Sequence, residues 1–112
     1  QISHRDLRPD NICINADLEL VLLGFTHARV LADENNTQNR GQQFYSALEM
    51  QVELTNTYNE KVDIWSMAAI LCEMLTGTVL FTNRGRPTNN VLKPMIDLCG
   101  QIGDDVLDKV RS

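Results

Sequence analysis

The sequence predicts a mainly α-helical domain with one small β-hairpin, and three observations carry that expectation. Val62 to Thr76 is almost wholly apolar, with Asp63 placed to cap its start and Gly77 placed to end it. Two short apolar runs, Ile12 to Ile14 and Leu18 to Leu23, flank the turn-forming cluster Asn15-Ala16-Asp17. The chain has 112 residues and 43% apolar content, which suffices for one modest core and no more.

Each element follows from its composition. The two runs around Asn15 pair as a hairpin, because the turn cluster is too short to let them separate. Asp33 to Gln43 is nearly all polar and without period, and reads as a loop. Val62 to Thr76 presents apolar residues around most of its circumference, so it is expected in the middle of the fold. Phe81 to Asn90, with Asn, Arg, Gly and Pro, is a second loop. Val91 to Cys99 is a weaker helix interrupted by Pro94, and Asp104 to Val110 a last short one.

Composition excludes several functions. A formal charge of −5 argues against nucleic acid or an anionic membrane as partner, since both select basic surface. No apolar run reaches the roughly 18 residues of a membrane span. Cys13, Cys72 and Cys99 are widely spaced and in apolar surroundings, and are expected as reduced core thiols. A soluble intracellular protein is expected. Gln1 is neither Met nor the end of a leader, so the chain reads as part of a longer one.

The strongest chemical signal is His4-Arg5-Asp6-Leu7-Arg8-Pro9-Asp10-Asn11, where Asp6 and Asn11 are spaced as an acid and an amide that can face one phosphate–metal centre. Gly24-Phe25-Thr26, Ala47-Leu48-Glu49 and Asp63-Ile64-Trp65-Ser66 follow in order. These four landmarks resemble the catalytic loop, D-F-G motif, A-P-E motif and central helix start of eukaryotic protein kinases. The texture between them, including Cys72 to Gly77 and Gly100 to Val110, is most similar to the stress-activated mitogen-activated protein kinases. The resemblance implies that residues 1–112 are a partial kinase domain, the central piece of the large lobe, without the small lobe.

On that resemblance Asp6 is the catalytic base and Arg8 stands where a lysine meets the transferring phosphoryl group. Asn11 is the surviving magnesium ligand, and Ile12, Cys13 and Ile14 floor the adenine. Gly24 occupies the place of the metal-binding aspartate, and hydrogen ligates nothing. The family's cofactors are ATP and magnesium, and the lost aspartate weighs against their being held by this chain. Gly24→Asp is then expected to restore a hard oxygen ligand. A second interpretation keeps Asp6 and Asn11 as scaffold and the isoleucines as core. It is favoured, because phosphoryl transfer depends on metal positioning and electrostatics.

The activation segment of the resemblance places Thr37 on the phosphorylated threonine and Asn39 on the phosphorylated tyrosine. The arginines that would hold a phosphotyrosine are Gln43 and Ser46 here, whereas Arg5 and Arg29, which would hold a phosphothreonine, are present. Asp63 resembles the aspartate that accepts catalytic-loop N–H groups, His4 and Phe25 the lower part of a packed spine, and Glu49 a carboxylate whose arginine lies outside the chain. The implied function is a catalytically impaired, phosphorylatable binding module in stress and immune signalling. Its implied partners are an upstream dual-specificity kinase and signalling proteins, in the cytoplasm and with the nucleus as a second compartment. The alternative is part of an active ATP-dependent serine/threonine kinase.

Overall fold

A computed structural model of the chain describes residues 1–30, 44–51, 59–82, 91–104 and 108. Among the described residues, four short strands and three α-helices, with two single 3-10 turns at Pro9–Asn11 and Phe25–His27, form the regular structure: β1 (Ile2–Ser3), β2 (Ile12–Ile14), β3 (Leu20–Leu22), β4 (Arg29–Val30), α1 (Leu48–Gln51), α2 (Lys61–Thr76) and α3 (Leu92–Cys99).

The expected hairpin is β2–β3, antiparallel, with Ile12 opposite Leu22 and Ile14 opposite Leu20. Asn15 builds its turn. The side-chain Oδ1 accepts from the backbone N–H groups of Asp17 at 3.0 Å and Glu19 at 2.9 Å, and Leu18 takes a positive φ of 63°. A second two-stranded sheet, β1–β4, was not anticipated. It pairs Ile2 with Val30 and Ser3 with Arg29, and two residues per strand leave no readable alternation. The fold is therefore a mixed α/β one with two small antiparallel sheets.

Helix α2 closes at Gly77, whose φ of 72° lets its N–H return to the Glu73 carbonyl at 2.7 Å. The expected cap at Asp63 is corrected. Asp63 lies inside the first turn and its carboxylate turns away to the segment after β1, while Asn59 Oδ1 accepts the Lys61 N–H at 3.0 Å. Pro94 does not interrupt α3. It sits at the third helical position, in the first turn, where N–H groups have no intrahelical acceptor to lose.

Leu7, Tyr45, Ala69, Ile70, Phe81, Val91 and Met95 form the core, with Trp65 stacked on Phe81 at 5.6 Å. Only one side of α2 contributes. Val62, Ser66, Ala69 and Ile70 are buried, but Ile64, Met67, Leu71, Met74 and Leu75 are exposed, so the expected all-round burial is not met among the described residues. The cysteines differ from expectation as well: all are free, yet Cys13 and Cys99 are exposed and Cys72 half-buried. An apolar neighbourhood in sequence marks a sheet or helix without saying which face is covered. The expected loop at 33–43, residues 83–90 of the expected loop from Phe81 to Asn90, and most of the last short helix lie outside the described residues.

Tyr45 anchors the segment before α1 to α2. Its hydroxyl donates to Glu73 Oε2 at 2.6 Å and its carbonyl accepts from Ser66 Oγ at 2.8 Å. Burial, then the Glu73 carboxylate, push the phenol well above its usual range. A folded-state pKa raised above the unfolded one, near about 10, means this contribution is whole below that pH and is lost as pH rises through and beyond it. Tyr45→Phe should lower stability by about 1 kcal/mol, and should flatten the alkaline limb of stability against pH. A urea series from neutral pH upward checks both, and an unchanged alkaline limb would contradict the linkage.

Candidate functional site

The segment from His4 to Asn11 is held as a rigid arch by one carboxylate. Asp63 Oδ2 accepts from Ser3 Oγ at 2.9 Å and the His4 N–H at 2.8 Å, and Oδ1 accepts from the Arg5 N–H at 2.8 Å. Ser3, His4 and Arg5 are all buried, and Arg5 takes a φ of 66°, a left-handed turn that a non-glycine residue adopts only under such constraint. The resemblance assigned this duty to Asp63, and the geometry agrees.

His4 ties the arch to the strand end. Its Nε2 lies 2.8 Å from the Leu23 carbonyl and its Nδ1 accepts the Asp6 N–H at 3.3 Å, so the tautomer carries its proton on Nε2. The ring also meets Phe25 edge-on at 4.8 Å, which matches the expected contact between these two residues. The Leu23 N–H donates to the Asn11 carbonyl at 2.8 Å. Leu23 is thus bracketed from both sides, and the next residue, Gly24, is delivered against Asn11.

Asp6, Arg8, Asn11 and Gly24 come together as the sequence led one to expect. Asn11 is buried, and its Nδ2 donates to the Asp6 carbonyl at 2.9 Å and to the Asp6 carboxylate at 3.2 Å. Arg8 Nε is buried without a hydrogen bond, 3.8 Å from Asp6 Oδ1, a charge pairing beyond hydrogen-bond reach. Gly24 has φ 76°, and a Cβ built there would lie 2.6 Å from three atoms of the Asn11 carboxamide. A side chain at residue 24, as in Gly24→Asp, requires the Asn11 carboxamide, the outer end of its side chain, to shift.

Magnesium is held through one or two carboxylates together with phosphate oxygens and water. The oxygen donors at this site are the Asp6 carboxylate, which accepts from Asn11 Nδ2, and the Asn11 carboxamide. Among the described residues no group of three or more His, Cys, Asp or Glu side chains could hold a metal. What the arrangement offers is a fixed carboxylate and a fixed carboxamide side by side.

Cys13 lies on β2 opposite Val21, exposed, beside half-buried Ile12 and exposed Ile14. Thr37 lies outside the described residues. Arg5 follows β1 by two residues and Arg29 opens β4, whose unforeseen pairing with β1 sets Arg29 opposite Ser3. Arg5 Nε donates to the His27 carbonyl at 2.7 Å, and Arg29, exposed and opposite Ser3, gives Nη1 to the Ala28 carbonyl at 2.8 Å. Sequence reasoning missed the backbone acceptors Leu23, His27 and Ala28, because a carbonyl carries no residue signature. Glu49 is half-buried in α1, and among the described residues no ion pair reaches it.

Comparison with known proteins agrees with this geometry. The protein kinase domain family matches residues 1–107. Mitogen-activated protein kinase 14 of Xenopus laevis is 39% identical over 111 residues, covering 99% of this chain and 30% of its own length. Mitogen-activated protein kinase 13 of Homo sapiens is 37% identical over 110 residues, covering 98% and 29%. Mitogen-activated protein kinase MKC1 of Candida albicans is 35% identical over 118 residues, covering 99% and 23%. The chain thus spans between a quarter and a third of the length of most of these relatives, and less of the last. A buried aspartate-held arch, the order of its motifs and the match over nearly every residue place this chain in the protein kinase domain family, as a relative of the mitogen-activated protein kinases.

Proposed function

We propose that the chain is the central piece of the large lobe of a stress-activated mitogen-activated protein kinase homologue, residues 1–112 being part of one kinase domain. It is catalytically impaired and acts mainly as a phosphorylatable binding module in stress and immune signalling. The observation that carries this is Gly24: the scaffold around the site is kept, while the position of the metal carboxylate has no side chain. Exposed apolar residues on α2 and on β3 support the view that more of the domain packs here.

Asp6 and Arg8 keep the places of the catalytic pair, and Asn11 and Cys13 those nearest nucleotide and metal. ATP and magnesium are the family's cofactors. The partners are an upstream dual-specificity kinase and signalling proteins, in the cytoplasm and with the nucleus as a second compartment. A second reading, an active serine/threonine kinase in the full-length form, draws on the close Asp6–Asn11 geometry.

Thr37 is the proposed phosphorylation site, with Arg5 and Arg29 as the phosphate holders. Phosphate carries close to two negative charges, and two guanidiniums such as those of Arg5 and Arg29 form strong charge-assisted bonds to it. Hydrogen exchange across residues 33–43, with and without phosphate on Thr37, should show protection that depends on the phosphate and is lost in Arg29→Ala. Equal exchange in both states would end the switch proposal.

A further inference from the structure

Tyr45, Ser46 and Ala47 form the turn that leads into α1, and all three are buried, so each of their carbonyls needs a donor from the protein. The three donors come from different places. The Tyr45 carbonyl accepts from Ser66 Oγ on α2 at 2.8 Å, and the Ala47 carbonyl from the Met50 N–H at 3.0 Å. The Ser46 carbonyl accepts from the side chain of Gln51, whose Nε2 donates to it at 3.0 Å. The same nitrogen lies 3.7 Å from the sulfur of Met95, a buried residue of α3. One half-buried amide thus joins the turn, the end of α1 and α3. Helix α1 is a single turn of four residues, too short to hold itself by its own hydrogen bonds, so such ties decide whether it forms.

We propose that Gln51 is the clamp of residues 44–47: it closes the turn onto α1 and α3, so the turn is set by the chain's own side chains and not by a phosphate on Thr37. The two arginines that would tie this stretch to a phosphotyrosine are Gln43 and Ser46 here, and the Ser46 position is fixed instead through its backbone. Any order that phosphate brings then stops at residue 43, and the surface formed by residues 44–51 is the same in both states. This deepens the proposed function and rests on it in one respect, the phosphate on Thr37. The clamp itself is read from residues 44–51, and failure of the switch is read from residues 33–43, so the two failures are separable.

Hydrogen exchange of the full-length protein that carries the chain tests the clamp. Gln51→Glu keeps the length of the side chain but turns an acceptor towards the Ser46 carbonyl, and Gln51→Ala removes the group altogether. Each should speed exchange across residues 44–51 roughly tenfold, the scale of one buried hydrogen bond left without its donor. Residues 61–76 of α2 should keep their wild-type exchange, which a general loss of stability would not allow. Met95→Leu keeps apolar volume without the sulfur; it should speed 44–51 slightly in the wild-type background and not at all in Gln51→Ala. Phosphate on Thr37 should leave 44–51 unchanged. Wild-type exchange of 44–51 in both Gln51 variants, equal acceleration of 44–51 and 61–76, or protection of 44–51 by phosphate would each overturn the clamp.

Discussion

Asp63→Ala is expected to lower stability by about 3 kcal/mol or more. The carboxylate accepts three hydrogen bonds, two from backbone N–H groups and one from Ser3 Oγ, all between 2.8 and 2.9 Å. Their donors lie on residues that are nearly inaccessible, with Ser3 at 0%, Arg5 at 3% and His4 at 6% exposure. Water does not reach these groups readily, so each lost bond carries the desolvation cost of its donor, about 1–3 kcal/mol apiece and less than additive. The loss spreads to the site. Arg5 is held at φ 66° by this anchor, and relaxing it moves Asp6, the next residue. Asp63→Asn should be milder, because one oxygen still accepts while the new NH₂ faces a donor. Urea unfolding of the three proteins measures the order, and an alanine variant within about 1 kcal/mol of wild type would contradict the anchor.

How much of this was legible in the sequence depended on whether the signal lay in side-chain type or in backbone placement. Asn15-Ala16-Asp17 announced its turn through an amide that bonds its own backbone, and the Asx-type bonds to Asp17 and Glu19 are there. Gly77 announced a helix end through its freedom at positive φ. Asp63 was ambiguous between cap and anchor. Local sequence favours the cap, and the acceptor role depends on a segment some 59 residues away, a contact that motif order alone suggested. The effect of Pro94 depends on how many residues of helix precede it, and Val91 lies just before the start.

The site followed the same division. That Asp6, Arg8, Asn11 and Gly24 share one place followed from their order. That Asn11 leans over Gly24 did not, because a missing side chain looks in sequence like an empty place, and packing decides what lies beside it. The β1–β4 pairing that brings Arg29 beside the arch was also illegible, since two residues per strand are too few to show a period.

The impaired catalysis we propose means that the site no longer supports phosphoryl transfer. In that chemistry the protein's contribution is positioning and electrostatic stabilisation, and loss of a single fixed donor typically costs roughly 10²–10³ in rate. Here Gly24 offers no side chain at the place of the family's metal carboxylate. The direct measurement is incorporation of radiolabelled phosphate from ATP into a generic acceptor protein, with magnesium and without, by this chain and by the full-length protein that carries it. The account predicts no magnesium-dependent incorporation above a protein-free blank in either case; clear magnesium-dependent turnover by the full-length protein would contradict it.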